Sequence, residues 1–419
     1  VPEQASLMSG YRALDLTDEK GFLCGRILGG LGVDVIKIEK PGGDPARSIG
    51  PFYKDIPHPE KSLYWFFCNA CKRGITLNIE TTDGREIFKR LVKTADFVIE
   101  SFEPGYMKGL GLGYEDLEKI NPRIIMTSIT PFGQTGPYKD FKPSELTVWA
   151  MGGMMFLTGD PDRPPVQVSH PQAYYFGGLH GAVGSLVAHY YRELSGEGQH
   201  VDVSIQQGCI LTLMNAAEWW DLNKVNLPRM SGFYVTPRPA PYGPLRTQMF
   251  FRCKDGWVMP MIMGGPALAK TNQELTRMAV EAGVADELRD YDWTKYDGST
   301  VSQEERSRID EAMQRFFLTK TKQELMELAA RGLYTAPIND VKDLFESPHL
   351  AARGFWEKVE HPELGETITY PGPPVKIKEA PWRITRRAPL IGEHNEEIYE
   401  KELGFSKEQL AMLKSRGII

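Results

Sequence analysis

Long apolar runs are missing from this sequence: none approaches the roughly 18 residues that a membrane-spanning helix needs. The opening residues, Val1-Pro-Glu-Gln-Ala-Ser, also lack the charged-then-apolar build of a signal peptide, so a cytoplasmic protein is expected. Basic charge is not in excess. With 49 Lys and Arg against 55 Asp and Glu the net charge is −6, which excludes the clustered positive footprint of a nucleic-acid binder. Cysteine is scarce and odd in number, five in all, which reads as reduced thiols rather than a disulfide framework. Cys68-Asn-Ala-Cys71 has the spacing of half a zinc site, but no second pair completes the four ligands, and the eight histidines show no ligand spacing. No metal is expected. There is no Gly-x-Ser-x-Gly elbow and no phosphate-binding P-loop.

What is present is a globular composition, 41% hydrophobic and 25% charged, over 419 residues, long enough for two domains. Residues 11–17 read as a strand, 22–31 as a helix and 33–39 as a β-branched strand, making a βαβ unit. Gly25, Gly29, Gly30 and Gly32 lie inside and after that helix, not in the turn opening it, so a dinucleotide fingerprint is not met. Strands at 74–79, 96–100 and 124–129 alternate with helices at 82–93 and 114–120. A doubly wound α/β domain is therefore expected, with ligands beyond Leu16, Glu39, Glu100 and Ile129. Texture changes near 226. A hairpin turning at Asp255-Gly256 and helices over 267–283, 303–317 and 322–331 mark a second domain. The expected organisation is 1–225 as the first part of a large domain, 226–335 as a small one and 336–419 as a return to the large one. A capped helix from Ser406 closes the chain.

One stretch has an absence of its own. From Gly159 two prolines and an extended run lead into a small-residue helix whose Gly177, Gly178, Gly181, Ala182 and Gly184 make a thin face, for a backbone or a ligand. No acidic residue occurs from Val166 to Tyr191, although a helix N-terminus favours negative charge. His170 and His180 fall in this stretch and could donate to a substrate carboxylate or serve only as ordinary hydrogen-bonded histidines. Lys40, Arg47, Lys72, Arg73, Lys139 and Lys142 stand near strand ends. Together at one sheet edge they would hold a ligand with several phosphates, and singly they would be solvated charges.

Asp34-Val-Ile-Lys-Ile-Glu-Lys-Pro-Gly-Gly-Asp-Pro-Ala-Arg, Lys72-Arg-Gly-Ile-Thr-Leu-Asn and Ala95-Asp-Phe-Val-Ile-Glu-Ser-Phe-Glu-Pro-Gly resemble class III CoA-transferases. So do Leu110-Gly-Leu-Gly-Tyr, Asn121-Pro-Arg, Phe132-Gly-Gln-Thr-Gly-Pro-Tyr, Arg252-Cys-Lys-Asp-Gly-Trp and Leu390-Ile-Gly-Glu-His-Asn. The resemblance covers nearly the whole chain, with its motifs in family order. It implies a Rossmann-like large domain built from both chain ends, a small inserted domain, and two ring-like chains interlocked as a dimer. It also implies CoA and acyl-CoA as substrates, with no covalently bound cofactor. The family's chemistry runs through an aspartate that attacks the thioester to give a mixed anhydride; the CoA thiolate then re-attacks to form an aspartyl-CoA thioester.

In the family that aspartate follows an Ala or Gly and precedes a helix glycine by four residues. Here Ala173-Tyr174-Tyr-Phe-Gly-Gly178 stands there, so Tyr174 takes the nucleophile's position, and a phenol is mostly protonated at neutral pH. Glu103 in the Phe-Glu-Pro-Gly loop and Gly109 before Leu-Gly-Leu-Gly replace basic residues, and Glu145 is what remains of a Gly-Tyr-acid element. CoA contacts, if this chain binds CoA, are expected at Lys40, Arg47, Lys72, Phe102 and Lys142. The resemblance extends in kind to a subunit without the nucleophile in a heteromeric enzyme acting on succinyl-CoA and (R)-benzylsuccinate. Its expected partner is a homologous aspartate-bearing chain in an α2β2 assembly. Two alternatives stand beside it. One is an active homodimer with a relocated carboxylate, Glu145 or Asp160; the other is a binding or regulatory protein without turnover.

Overall fold

The structure is a computed structural model that describes residues 6–236, 238 and 240–419. The chain divides into two compact units, one of Val1–Met155, Gln167–Lys224 and Ala351–Ile419, the other of Phe156–Val166 and Val225–Leu350.

The first unit is built on a six-stranded sheet, every pair parallel, in the order β3-β2-β1-β4-β5-β6. The strands are β1 (Arg12–Asp15), β2 (Asp34–Glu39), β3 (Lys72–Thr76), β4 (Phe97–Glu100), β5 (Ile125–Thr130) and β6 (Gln199–Ser204). Parallel strands covered on both faces need apolar side chains on both, and β4 and β5 are buried at every position. This order is that of a Rossmann fold, confirming the α/β reading, and the order in which strands are added switches sides between β1 and β4. Sheets of this order bind ligands in a crevice beyond the strand ends at that point, and here the loops after β1 and β4, joined by Asp18 and Ser101, would rim it. β6 lies at a sheet edge and was not expected, although Val201 and Val203 alternate with His200, Asp202 and Ser204 as an edge strand would.

Three helices set the crevice: α1 (Phe22–Gly30), α2 (Glu145–Met151) and α3 (Ala173–Ser195). The thin face of α3 is filled by protein. A Cβ on Gly178 would fall 2.7 Å from Leu23 Cβ and 3.1 Å from the Cys24 backbone N on α1, and one on Gly181 would meet Ile129 of β5 at 2.6 Å. The glycines serve close packing of α3 on α1 and the sheet, and so fix where α3 begins.

In the second unit an antiparallel sheet orders Thr335–Ile338, Gly256–Pro260 and Phe251–Cys253, the last two joined at Lys254-Asp255. The helices Pro266–Glu281, Gln303–Phe317 and Lys322–Ala330 bury Ile309, Phe316, Phe317 and Leu325 with Phe251 in its core. Among the described residues no helix is long and apolar enough to cross a membrane.

Candidate functional site

Tyr174 is the second residue of α3 and is 6% exposed. The N-terminus of α3 has no cap from its own Gln172. An acid supplies one from 28 residues upstream: the Glu145 carboxylate, in the first turn of α2, accepts the Ala173 N–H at 2.9 Å and a hydrogen bond from the Gln167 amide. The acid missing from the loop is therefore restored by the fold, where it satisfies an orphan first-turn donor. Ser144 caps α2 in turn, accepting from Thr147 N–H at 3.2 Å.

The loop after β1 brings Asp18 and Glu19 to the same place. Asp18 is tied across the crevice to the loop after β4: its N–H donates to Ser101 Oγ at 2.8 Å, and that hydroxyl donates to Asp18 Oδ1 at 2.8 Å. Lys20 pairs with Asp18. Burial pushes the Tyr174 phenol well above the ordinary tyrosine range, and the charges of Glu19, Asp18 and Glu145 push it further. Burial also raises the Glu19 carboxyl, with Asp18 adding to the rise and Lys20 opposing it. The phenol at this helix start stays protonated and cannot act as a ready nucleophile. Glu100, at the end of β4, is 3% exposed, and burial lifts its carboxyl to about 7; its Oε2 accepts the Phe102 N–H at 2.7 Å.

The basic residues are not gathered at one open edge. Lys72 is fully buried, 2.7 Å from Asp15 Oδ2, and also donates to Phe22 O and Asn69 Oδ1 at 2.9 Å. Burial alone would raise the Asp15 carboxyl, but Lys72 and Lys37 together hold it below the usual range. Arg47 lies flat on Trp65, 3.9 Å from the ring centroid, and pairs with Glu39 and Glu60, each at 2.7 Å. Arg73 meets Asp34, Glu397 and Glu402. Lys40 is exposed but sits 2.8 Å from Glu80, which also accepts the Tyr106 hydroxyl at 2.7 Å. Lys139 pairs with Asp140. The expectation of a shared cationic edge is thus corrected: Arg47 and Lys72 are internal counter-ions, paired with Glu39 and Glu60 and with Asp15. Lys142 is exposed and makes no ion pair among the described residues. Phe102 is half-buried and stacks on Tyr106 with centroids 4.6 Å apart.

Glu103 and Gly109 are both exposed, and a Cβ on Gly109 would meet nothing within 4 Å. His170 is exposed in its loop, and the half-buried His180 ring packs beside Gly208. Asp160 belongs to the second unit, with Oδ2 3.9 Å from Arg163. Asp18 and Glu19, in the loop after β1, were missed in the sequence, and Glu100 was named only as a strand end; all three lie where the switch in strand order places a ligand.

A parallel sheet whose strand order switches sides at β1 and β4, with a helix N-terminus beside that point, defines a Rossmann-like fold. The chain belongs to CoA-transferase family III, whose model matches residues 8–395. It is 36% identical to the succinyl-CoA:(R)-benzylsuccinate CoA-transferase subunit BbsE of Thauera aromatica, over 98% of each chain. It is 31% identical to the succinyl-CoA–L-malate CoA-transferase beta subunit of Chloroflexus aurantiacus, again over 98% of each. The crystal structure of a CAIB/BAIF family protein from Brucella suis superposes with a TM-score of 0.78 at 30% identity, covering 95% of this chain and all of that one.

Proposed function

We propose that this chain is the non-nucleophilic subunit of a heteromeric class III CoA-transferase. It would move CoA from an acyl-CoA such as succinyl-CoA to a carboxylic acid such as (R)-benzylsuccinate. A homologous aspartate-bearing chain completes the enzyme, two copies of each, interlocked as the family resemblance implies. The observation that carries this reading is Tyr174, a buried phenol at the start of α3, in the nucleophile's position by motif and surrounded by Asp18, Glu19 and Glu145. Such surroundings disfavour both a phenolate and an incoming diphosphate.

Two further features support it. Leu179, Val183, Val187, Tyr190 and Leu194 run along α3 at helical spacing and are 43% to 72% exposed, an apolar stripe suited to a second chain. BbsE is named as one subunit of its enzyme. A relocated nucleophile is less well supported: Glu145 is engaged by the α3 N-terminus, and Asp160 lies by Arg163.

Co-expression with an aspartate-bearing homologue, followed by a CoA-transfer assay from succinyl-CoA to (R)-benzylsuccinate, tests the proposal. The pair should be active and this chain alone inactive. Transfer by this chain alone at the rate of the pair, or an acyl adduct trapped on it and seen by mass spectrometry, would overturn it. Tyr174→Asp should restore little activity alone, because Glu103 and Gly109 still offer a diphosphate no cation.

A further inference from the structure

The edge strand β3 is closed by the segment after residue 384, and His394 is the residue that docks. Its N–H donates to Gly74 O at 2.9 Å, and the Gly74 N–H donates to its Nδ1 at 3.1 Å. A nitrogen that accepts carries no proton, so the neutral imidazole must hold its proton on Nε2. Nε2 lies 3.4 Å from Arg386 Nη1, and a guanidinium can only donate. Two donors thus face one another with no acceptor between them, an arrangement that an oxygen with two lone pairs would satisfy.

Both side chains line a cavity of about 450 Å³ with Lys358, Thr385, Arg387, Glu360 and Glu393. Arg387 is already neutralised, by Glu363 at 2.8 Å and by both oxygens of Glu393 at 2.7 and 2.9 Å. That pairing also locks Glu393, leaving Glu360 as the carboxylate opposed to Arg386 and Lys358. Arg386 and Lys358 make no ion pair among the described residues, and both are exposed.

We infer that this cavity binds a small oxyanion, a phosphate or a carboxylate, held between Arg386 and the Nε2–H of His394 with Lys358 adding charge. A charge-assisted pair on one oxyanion is geometrically what a guanidinium and an imidazole N–H offer together. The site is distinct from the one at Tyr174, which lies beyond the central strands β1 and β4, whereas this one sits against β3 at the sheet edge.

Calorimetric titration of the full chain with inorganic phosphate and, separately, with succinate tests the inference. One of the two should bind saturably, the tighter showing whether the site is phosphoryl- or carboxylate-selective. Arg386→Gln should weaken that binding by about tenfold or more, and Lys358→Gln by less. The Arg386 side chain is exposed and its carbonyl bond to the Cys71 N–H does not depend on it, so this variant should fold. No saturable binding of either anion, or equal binding by Arg386→Gln, would overturn the assignment. A side-chain nitrogen NMR spectrum gives an independent reading: the proton should be on Nε2 of His394, and a proton on Nδ1 would also overturn it.

Discussion

Lys72 and Tyr174 belong to the same unit, both buried, in opposite electrostatic settings. Lys72 and Asp15 are each fully buried and 2.7 Å apart, with Asn69 and Phe22 O taking up the remaining ammonium donors. Around Tyr174, Asp18, Glu19 and Glu145 act on a phenol from one side of the charge scale, and the consequence is a raised Glu19 and a raised phenol. Charges under the sheet hold the scaffold because each is matched. Charges around Tyr174 are mostly of one sign, with Lys20 on Asp18 the cation that opposes them, and such an excess of carboxylates beside a strand-end helix start bears on ligand binding more than on stability.

The comparison can be broken most severely at Lys72. Lys72→Met should strand Asp15 as an unpaired buried carboxylate and destabilise the chain by about 3–5 kcal/mol, measured by urea unfolding; a loss below ~1 kcal/mol would mean that the pair holds nothing.

Glu100 gives the next effect, seen against pH. Its carboxyl titrates near 7 when folded, above its ordinary unfolded value, so folding takes up a proton between the two. Stability should therefore fall as pH rises across that window, by roughly 3 kcal/mol in all, and level off above it. Glu100→Gln should flatten the profile; an unchanged slope would show the carboxyl is not held neutral.

A smaller effect is expected at Glu145. Glu145→Ala removes the acceptor at the α3 N-terminus and should cost about 1 kcal/mol in thermal unfolding. Adding Glu19→Ala should change the cost by relieving the shared repulsion, so strict additivity of the two would argue against coupling between them.

Lys40→Ala should move stability by less than about 0.5 kcal/mol, because its pair with Glu80 is exposed on both sides. It should also leave transfer by the co-expressed subunits unchanged. A fall in activity would show that Lys40 leaves Glu80 for the ligand.

The alternation of strand and helix over the first 130 residues could be read directly, because β-branched runs and helical spacing are local signals. The glycines of α3 were legible as a thin face, but not what fills it, since Leu23, Cys24 and Ile129 are far away in sequence. Arg47 and Lys72 looked like ligand contacts for the same reason. Arg47 is held by Glu39 and Glu60, 8 and 13 residues away, and Lys72 by Asp15, 57 residues away, and the sequence pattern announces neither pairing. The acid of the α3 N-terminus was hidden likewise, 28 residues upstream in another helix. Tyr174 was singled out by motif spacing alone, and the fold puts it, buried, in the first turn of α3.

The docking of His394 onto β3 has a consequence for how the chain comes to be made. Cys71 N–H donates to Arg386 O, Gly74 pairs through both backbone groups with His394, Thr76 is bonded by Asn395 and Tyr399, and Asn78 N–H reaches Ile418 O. During synthesis β3 emerges more than 300 residues before these partners, so the nascent sheet carries an open, hydrogen-bond-hungry border for most of translation. Such a border recruits stray strands. Chaperone occupancy on the ribosome, rather than any property of the finished fold, is where this late seal should be felt.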